Sequence, residues 1–375
     1  MTLVMKANSS AQFLGLVPAL AGFTPTRSIV LTPFEGTRTY GALRIDLPDD
    51  DDPDAFAERA VALVGRVERT DSVALVVYCD EIAQPTRDGI VLPHSVVVDA
   101  VLVAAEEQRL GIVDALCVTP EGWARYLDEE PALHPLDTIH SAERPPEASG
   151  IEGDQSAGTA LPDYGLMTTE KVGRALIALE EVIHRARMGR EDEAEREHPE
   201  AFAAAMLIED VPALFESAVN LPADPPPYAC AALIWLLARP IYRDVALMQW
   251  AGDLREGQEA LASQLTHSRS GTLPSAQSWG VMVGSGPRPD VSRLHAALRA
   301  ARSLAALAPR QRRVGPLALA AWLSWALGRP SHSEKYLEQV HAIDPDYSFG
   351  ILLRELIRTR PLPEWAFDRR MDDAA

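Results

Sequence analysis

Residues 72–118 read SVALVVYCDEIAQPTRDGIVLPHSVVVDAVLVAAEEQRLGIVDALCV, and the pattern within them changes period twice. Ser72–Tyr78 is a continuous apolar run, which suits a strand covered on both faces. Over residues 93–110, Val97, Val101, Ala104 and Ala105 recur at helical spacing before the chain turns polar at Glu106 and Glu107. Gly111 is read as the stop of that helix, and residues 113–118 return to the apolar run of a strand. Strand, helix, strand in this order requires a parallel crossover, and so an α/β sheet. Residues 123–127 are expected to fold back across Pro120, Glu121 and Gly122 as a hairpin partner.

Toward the N-terminus, Ser28–Phe34 (SIVLTPF) and residues 38–47 (RTYGALRIDL) are rich in β-branched and aromatic side chains, with a turn at 35–37. They are predicted to pair antiparallel. Pro48 and the aspartates at 49–52 end the second strand and lead into a helix over 53–69, where the macrodipole favours carboxylates at the start. Residues 1–137 are thus predicted to be an α/β domain, a mixed sheet with flanking helices.

Residues 138–162, rich in Pro, Glu, Ser and Gly, are predicted to be a flexible linker, and 163–375 an all-α helical domain. Val172, Ala175, Leu176, Leu179, Ile183 and Ala186 form one apolar stripe, opened by Thr168 as a cap and closed by Gly189. Further helices are predicted at 199–219, 227–251 with a bend at Pro240, 291–308, 317–327, 333–341 and 347–357. Residues 271–289 interrupt them as a long glycine-containing loop. Near the end, Gly328, Leu337, Val340 and Pro345 fall at spacings similar to a tetratricopeptide repeat, so the domain is expected to finish in a tetratricopeptide-like helical hairpin. A single unit of that kind cannot stand alone and must pack on its neighbours.

A chain of 375 residues is long enough for two hydrophobic cores. Its 35 basic and 54 acidic side chains give a net charge of -19, which repels phosphate backbones and anionic lipid, so neither nucleic acid nor a membrane is expected as a partner. Arg310, Arg312 and Arg313, the densest basic cluster, read as a solvated turn. Cys79, Cys117 and Cys230 sit far apart in apolar stretches and behave as reduced, small hydrophobes. The first ten residues hold no signal-peptide core, and the most apolar stretch, 228–238, is cut by Arg239, Pro240, Arg243 and Asp244 before the roughly 20 residues a membrane span needs. A cytoplasmic location is expected.

Chemistry is sparse. Gly284, Ser285 and Gly286 lack the third glycine and the lysine of a phosphate loop, and the aspartates at 49–54 lack a calcium loop's central glycine and closing glutamate. Asp128, Glu129, Glu130, His134, Asp137 and His140 offer ligand types in no established spacing, so a solvated linker is the simpler reading, and neither a metal nor a cofactor is expected. Tyr78, Cys79 and Asp80 lie at the carboxyl end of the predicted central strand, where ligands of open α/β sheets bind. His94 opens the following helix and could face the same crevice, pairing with Cys79 as a nucleophile, although a buried structural cysteine beside a helix-start histidine is the simpler reading. Arg44 and Asp46, two apart on a strand, project from one face as an ion pair or a ligand contact. Arg44, Asp46, Cys79, Asp80 and His94 are therefore the candidate ligand-binding residues; no catalytic motif is present.

Gly22-Phe23, Pro25, Ser28 and the closing Arg44-Ile45-Asp46-Leu47-Pro48 resemble the actinobacterial domain-of-unknown-function family 4192. Trp322, Gly328, Asp344-Pro345 with Tyr347-Ser348, Leu362-Pro363 and Trp365 resemble that family's C-terminal pattern. The resemblance implies a cytoplasmic, actinobacterial protein and no established activity. Members of the family often carry cysteines just after a Trp-x-x-Tyr-Leu segment, whereas here Trp123, Tyr126 and Leu127 are followed by Asp128, Leu133 and His134. The resemblance therefore brings no thiol-based metal or redox role. The helical domain and the lack of a catalytic motif lead to the expectation of an interaction or regulatory module with a protein partner on the helical domain. The alternative is an enzyme or small-molecule sensor with its crevice at the sheet edge.

Overall fold

The computed structural model describes residues 7–39, 41–48, 52–87, 89–139, 153–271 and 279–367. The chain divides into two compact units, Met1–Ala157 with Phe367–Ala375, and Gly158–Ala366. In the first unit the order is α1 (Ser10–Ala21), β1 (Ser28–Phe34), β2 (Leu43–Asp46), α2 (Pro53–Gly65), β3 (Ser72–Tyr78), β4 (Gln84–Thr86), β5 (Gly89–Val91), α3 (Ser95–Glu107), β6 (Gly111–Thr119) and β7 (Gly122–Arg125).

The apolar run Ser72–Tyr78 is the central strand of a mixed sheet ordered β2-β1-β3-β6-β7. It pairs antiparallel with β1 and parallel with β6, the crossover being made through α3. Side chains alternate across the sheet. Ile29, Leu31, Leu75, Val77, Ala115 and Cys117 face Phe56, Val61, Val98 and Val101 from α2 and α3. Val30, Val76, Leu116 and Trp123 face Leu14 and Val17 of α1 on the other side. Each large aliphatic side chain so buried contributes about 1.5–3 kcal/mol.

Several boundaries differ from the sequence reading for identifiable reasons. The second strand is Leu43–Asp46 rather than 38–47, because the first turn closes through a bridge between Glu35 and Arg38. Gly111 does not merely stop α3 but opens β6, opposite Ser72; the chain turns just before it at Arg109, whose φ is 60°. Helix α1 was not foreseen, since Gly15 and Pro18 weaken its local signal, yet Ser9 caps its start and Gly22 its end. The short β4–β5 hairpin occupies what reads as a plain loop. Gly153, Gln155 and Thr26 show that part of the predicted linker is tied to the sheet unit: Thr24 N donates to Gly153 O at 3.1 Å and Gln155 Nε2 to Thr26 O at 3.0 Å.

Among its described residues the second unit has helices and no strand: α4 (Gly165–Arg187), α5 (Glu191–Glu197), α6 (Pro199–Leu207), α7 (Val211–Ala218), α8 (Pro227–Leu237), α9 (Pro240–Ala251), α10 (Leu254–Ser270), α11 (Val291–Leu307), α12 (Val314–Ala326), α13 (Pro330–Ile343) and α14 (Ser348–Thr359). The stripe predicted for α4 faces the core, although the helix begins before Thr168, at Gly165. The single helix expected over 199–219 is two, because Asp210 caps a fresh start by accepting from Ala213 N. Pro240 breaks rather than bends its segment, standing at the first position of α9. Helix α10 is too polar to show a strong stripe, but Asp253 and Glu256 form a capping box that marks its start. Helix α12 is buried along its whole length and α8 from Cys230 to Leu237, with Trp250, Trp322 and Trp325 among the most enclosed side chains.

A polar network crosses this core. Arg293 on α11 donates from Nη1 and Nη2 to both Glu216 oxygens, at 2.8 and 2.6 Å, and Gln249 Nε2 donates to Glu216 Oε2 at 2.9 Å. Hydrogen bonding to Arg293 holds the Glu216 carboxyl below the usual carboxylate range, burial opposing and Gln249 assisting. A depressed folded-state pKa means the stabilisation is present at neutral pH and is lost as pH falls through that value. Because Glu216 is partly exposed, the expected effect is modest. Between pH 6 and pH 3 the wild type should lose about 0.5–1 kcal/mol more stability than Glu216→Gln, read by urea denaturation at each pH.

Candidate functional site

Strand β3 runs one residue beyond its ladder: Cys79 N donates to Val118 O at 3.1 Å. The chain leaves the sheet through Asp80 and Glu81, makes the β4–β5 hairpin and returns through Leu92 and Pro93 to His94, the N-cap of α3. Ala83 and Leu92, at the two feet of the hairpin, are buried in the core beneath α2 and α3. Cys79 and Glu81 are thereby brought opposite His94. The His94 backbone is left-handed, with φ 57° and ψ 19°, a conformation that costs a non-glycine residue about 1–2 kcal/mol.

The three side chains converge. His94 Nε2 lies 3.2 Å from Glu81 Oε2, and one donor atom from each of Cys79, Glu81 and His94 falls within 4.8 Å of the others. Cys79 is buried, and its thiol lies 3.8 Å from the carbonyl oxygens of Glu81 and Val118. The neighbouring Cys117 thiol, by hydrogen bonding, and burial both push the Cys79 thiol upward, so it is a neutral donor at pH 7. Behind it, the Tyr126 hydroxyl donates to Pro93 O at 2.6 Å and so fixes the residue before His94. Burial works against the Glu81 charge, yet hydrogen bonds from its own backbone and from His94 hold its carboxyl below the usual range. The cluster grades from a buried sulfur, through a half-buried imidazole, to a carboxylate that is 61% exposed, so it opens to solvent at the Glu81 side.

The other predicted site residues lie elsewhere. Asp80 points outward, 3.8 Å from Arg27 in an exposed pair. Arg44 and Asp46 do form an ion pair, but their register with Val30 and Ser28 places them on the α1 face of the sheet, opposite Cys79. The five candidates are therefore not one site: Cys79 and His94 come together, and Glu81, Cys117 and Tyr126 join them. Glu81 had a signal, standing two residues past the strand's carboxyl end. Cys117 and Tyr126 had none, because strand register decides their approach.

The remaining motifs are structural. Asp128 pairs with Arg125 at 3.1 Å and the His134 ring stacks on Trp123 at 4.5 Å, while His140 lies outside the described residues. Among the described residues the only convergent group of metal-ligand types is Cys79, Glu81 and His94. Gly284 packs so closely on Trp325 that a Cβ would come within 2.5 Å, and Ser285 Oγ accepts from Arg360, so Gly284 and Ser285 brace the C-terminal segment. Arg310, Arg312 and Arg313 bond to Ala342 O, Glu180 and Ala308 O, tying helices together. Asp52 caps α2 through Asp54 N; residues 49–51 lie outside the described residues.

Among the described residues no helix is long and apolar enough to cross a membrane. No curated protein and no solved structure matches the chain. A family model described as Domain of unknown function (DUF4192) matches residues 11–278, a span that contains the sheet, the Cys79–Glu81–His94 cluster and the helices through α10. Trp322, Gly328 and the tail positions to Trp365 lie beyond that match. Matched over most of its length, from α1 through α10, the protein belongs to the DUF4192 family.

Proposed function

We propose that the protein is a regulatory binding protein whose α/β unit takes a small ligand at the carboxyl edge of β3, on Cys79, Glu81 and His94. The observation that carries this reading is the convergence of three chemically different donors, two of them between β3 and the first foot of the hairpin and the third at the helix start beyond its second foot. Ligands of open α/β sheets bind beyond the carboxyl ends of the strands, where a crossover leaves a crevice. The left-handed His94 supports it, since backbone strain persists where a side chain must be aimed. Native mass spectrometry of the full chain, purified gently from its own host, tests the proposal. An adduct of one ligand per chain that His94→Asn removes is the expected result; the bare polypeptide mass for the wild type, or the same adduct on both proteins, would refute it.

A second reading, a protein partner on the helical unit, is favoured by a groove beside α4. A cavity of ≈ 490 Å³ is lined by Gly173, Leu176, exposed Ile177 and Pro309 together with Glu170 and Arg312, and Leu166 and Met167 are exposed at the start of the same helix. Charges of both signs around an apolar floor suit an amphipathic helix of a partner protein. Gly173 stands mid-helix, where glycine costs about 1 kcal/mol against alanine, and a Cβ would meet only Pro309 Cγ at 3.7 Å. Gly173→Ala should therefore raise the unfolding free energy by about 0.5–1 kcal/mol in urea denaturation. A photo-crosslinker at Ile177 should capture one defined partner that a crosslinker at exposed Ile351 does not; equal capture at both would remove this reading.

A further inference from the structure

The ligand site at the foot of the β4–β5 hairpin contains one sulfur, one imidazole nitrogen and one carboxylate, and that combination selects among ligands. We infer that Cys79, Glu81 and His94 bind a divalent cation of zinc-like character, with three protein donors and an open fourth position. The inference rests on the ligand-site reading above and names its ligand. It reverses the sequence-based expectation that no metal binds, because that expectation could not see Glu81 meeting His94.

Geometry supports it. Tetrahedral zinc with sulfur at about 2.3 Å and nitrogen or oxygen at about 2.0–2.2 Å sets its donors about 3.3–3.6 Å apart. The Glu81–His94 edge is 3.2 Å, and all three donors already lie within 4.8 Å, so a rotation of the Cys79 side chain closes the triangle. The donors are held from behind. Tyr126 bonds Pro93 O beside His94, and the Cys117 side chain neighbours Cys79 from the adjacent strand β6.

Chemistry narrows the cation. Calcium and magnesium need six or more oxygens, and only one carboxylate is present. Copper(I) prefers sulfur alone, whereas thiolate, imidazole and carboxylate together suit zinc and its borderline neighbours. Binding displaces the Cys79 proton to solvent, and the resulting thiolate together with the Glu81 carboxylate balances a double positive charge, so the loaded site is neutral. The fourth position faces solvent on the Glu81 side, and a site with three protein ligands exchanges its fourth.

The test is a zinc titration of the chelator-stripped full chain against a chromophoric competitor, with hydrogen exchange measured on the wild type alongside. One equivalent should bind, and amide exchange around residues 79–81 and 93–95 should slow on loading. Cys79→Ser, Glu81→Gln and His94→Asn should each weaken binding on the order of 100-fold, while Cys230→Ala, in the helical unit, should not. Exchange in those segments unchanged by zinc, or affinity unchanged in all three variants, overturns the inference. An organic adduct that His94→Asn removes, with no zinc bound, also overturns it and leaves the ligand site standing. Failure of both adduct and zinc binding removes the site itself.

Discussion

His94→Gly should lower zinc affinity on the order of 100-fold while leaving the α/β unit as stable as the wild type or more stable by about 1 kcal/mol. The two effects have opposite origins in one residue. Removing the imidazole takes away a donor 3.2 Å from Glu81. Removing the Cβ relieves a backbone at φ 57°, which glycine adopts without strain. The His94–Glu81 pair lost with the ring is largely exposed on the Glu81 side and is worth little. His94→Ala separates the contributions, since it loses the ring and keeps the strain, and it should be less stable than His94→Gly by about 1–2 kcal/mol. Zinc competition gives the affinities, and hydrogen exchange of the β3 and β6 amides gives the local stability. A gain in stability at the expense of binding is the mark of a residue kept for its side chain. Were His94→Gly clearly less stable than His94→Ala, the strain would be serving the fold and not the site.

Gly315→Ala should destabilise the helical unit by about 3 kcal/mol, and Gly315→Val by more. Gly315 lies in the first turn of α12, and a Cβ there would stand 2.3 Å from Leu237 O and 2.9 Å from Leu237 C. Those are backbone atoms at the end of α8, so relief requires the two helices to separate. Helix α12 is buried along its length and α8 from Cys230 to Leu237, and separation opens cavities around Leu237, Leu317 and Trp322. Tryptophan fluorescence in a urea titration reads the loss, since Trp250, Trp322 and Trp325 lie in this core. The contrast with Gly173→Ala is informative: the same substitution has opposite signs at two helical positions. At Gly173 the nearest atom is 3.7 Å away, and only propensity changes.

The sequence carried much of this architecture because the decisive signals are local. The apolar run at Ser72–Tyr78 and the stripe over Ser95–Glu107 specify a buried strand and its crossover helix without reference to anything distant. The Val172 to Leu179 stripe specifies α4 in the same way. What escaped was set by tertiary contact. Helix α1 contains Gly15 and Pro18 and forms because Leu14 and Val17 fill the far face of the sheet against Val30 and Trp123. Helix α10 has few apolar positions, and its local signal in the sequence is the capping box at Asp253 and Glu256.

The candidate site divides in the same manner. Cys79 and His94 could be named from their places at a strand end and a helix start. Their meeting with Glu81 depends on the β4–β5 hairpin folding its two feet together, and Cys117 depends on the parallel register Val77 to Cys117. Arg44 and Asp46 were legible as a pair but not as belonging to the opposite face, because face is decided by register with β1.

The most direct measurement of whether Cys79, Glu81 and His94 act as one site is the ultraviolet and visible spectrum of the full chain on stepwise addition of cobalt(II). The account predicts a thiolate-to-metal charge-transfer band that saturates at one equivalent, together with the visible bands of a four-coordinate ion, and Cys79→Ser should abolish the charge-transfer band. Cobalt binding without that band, or a band that survives in Cys79→Ser, would contradict it.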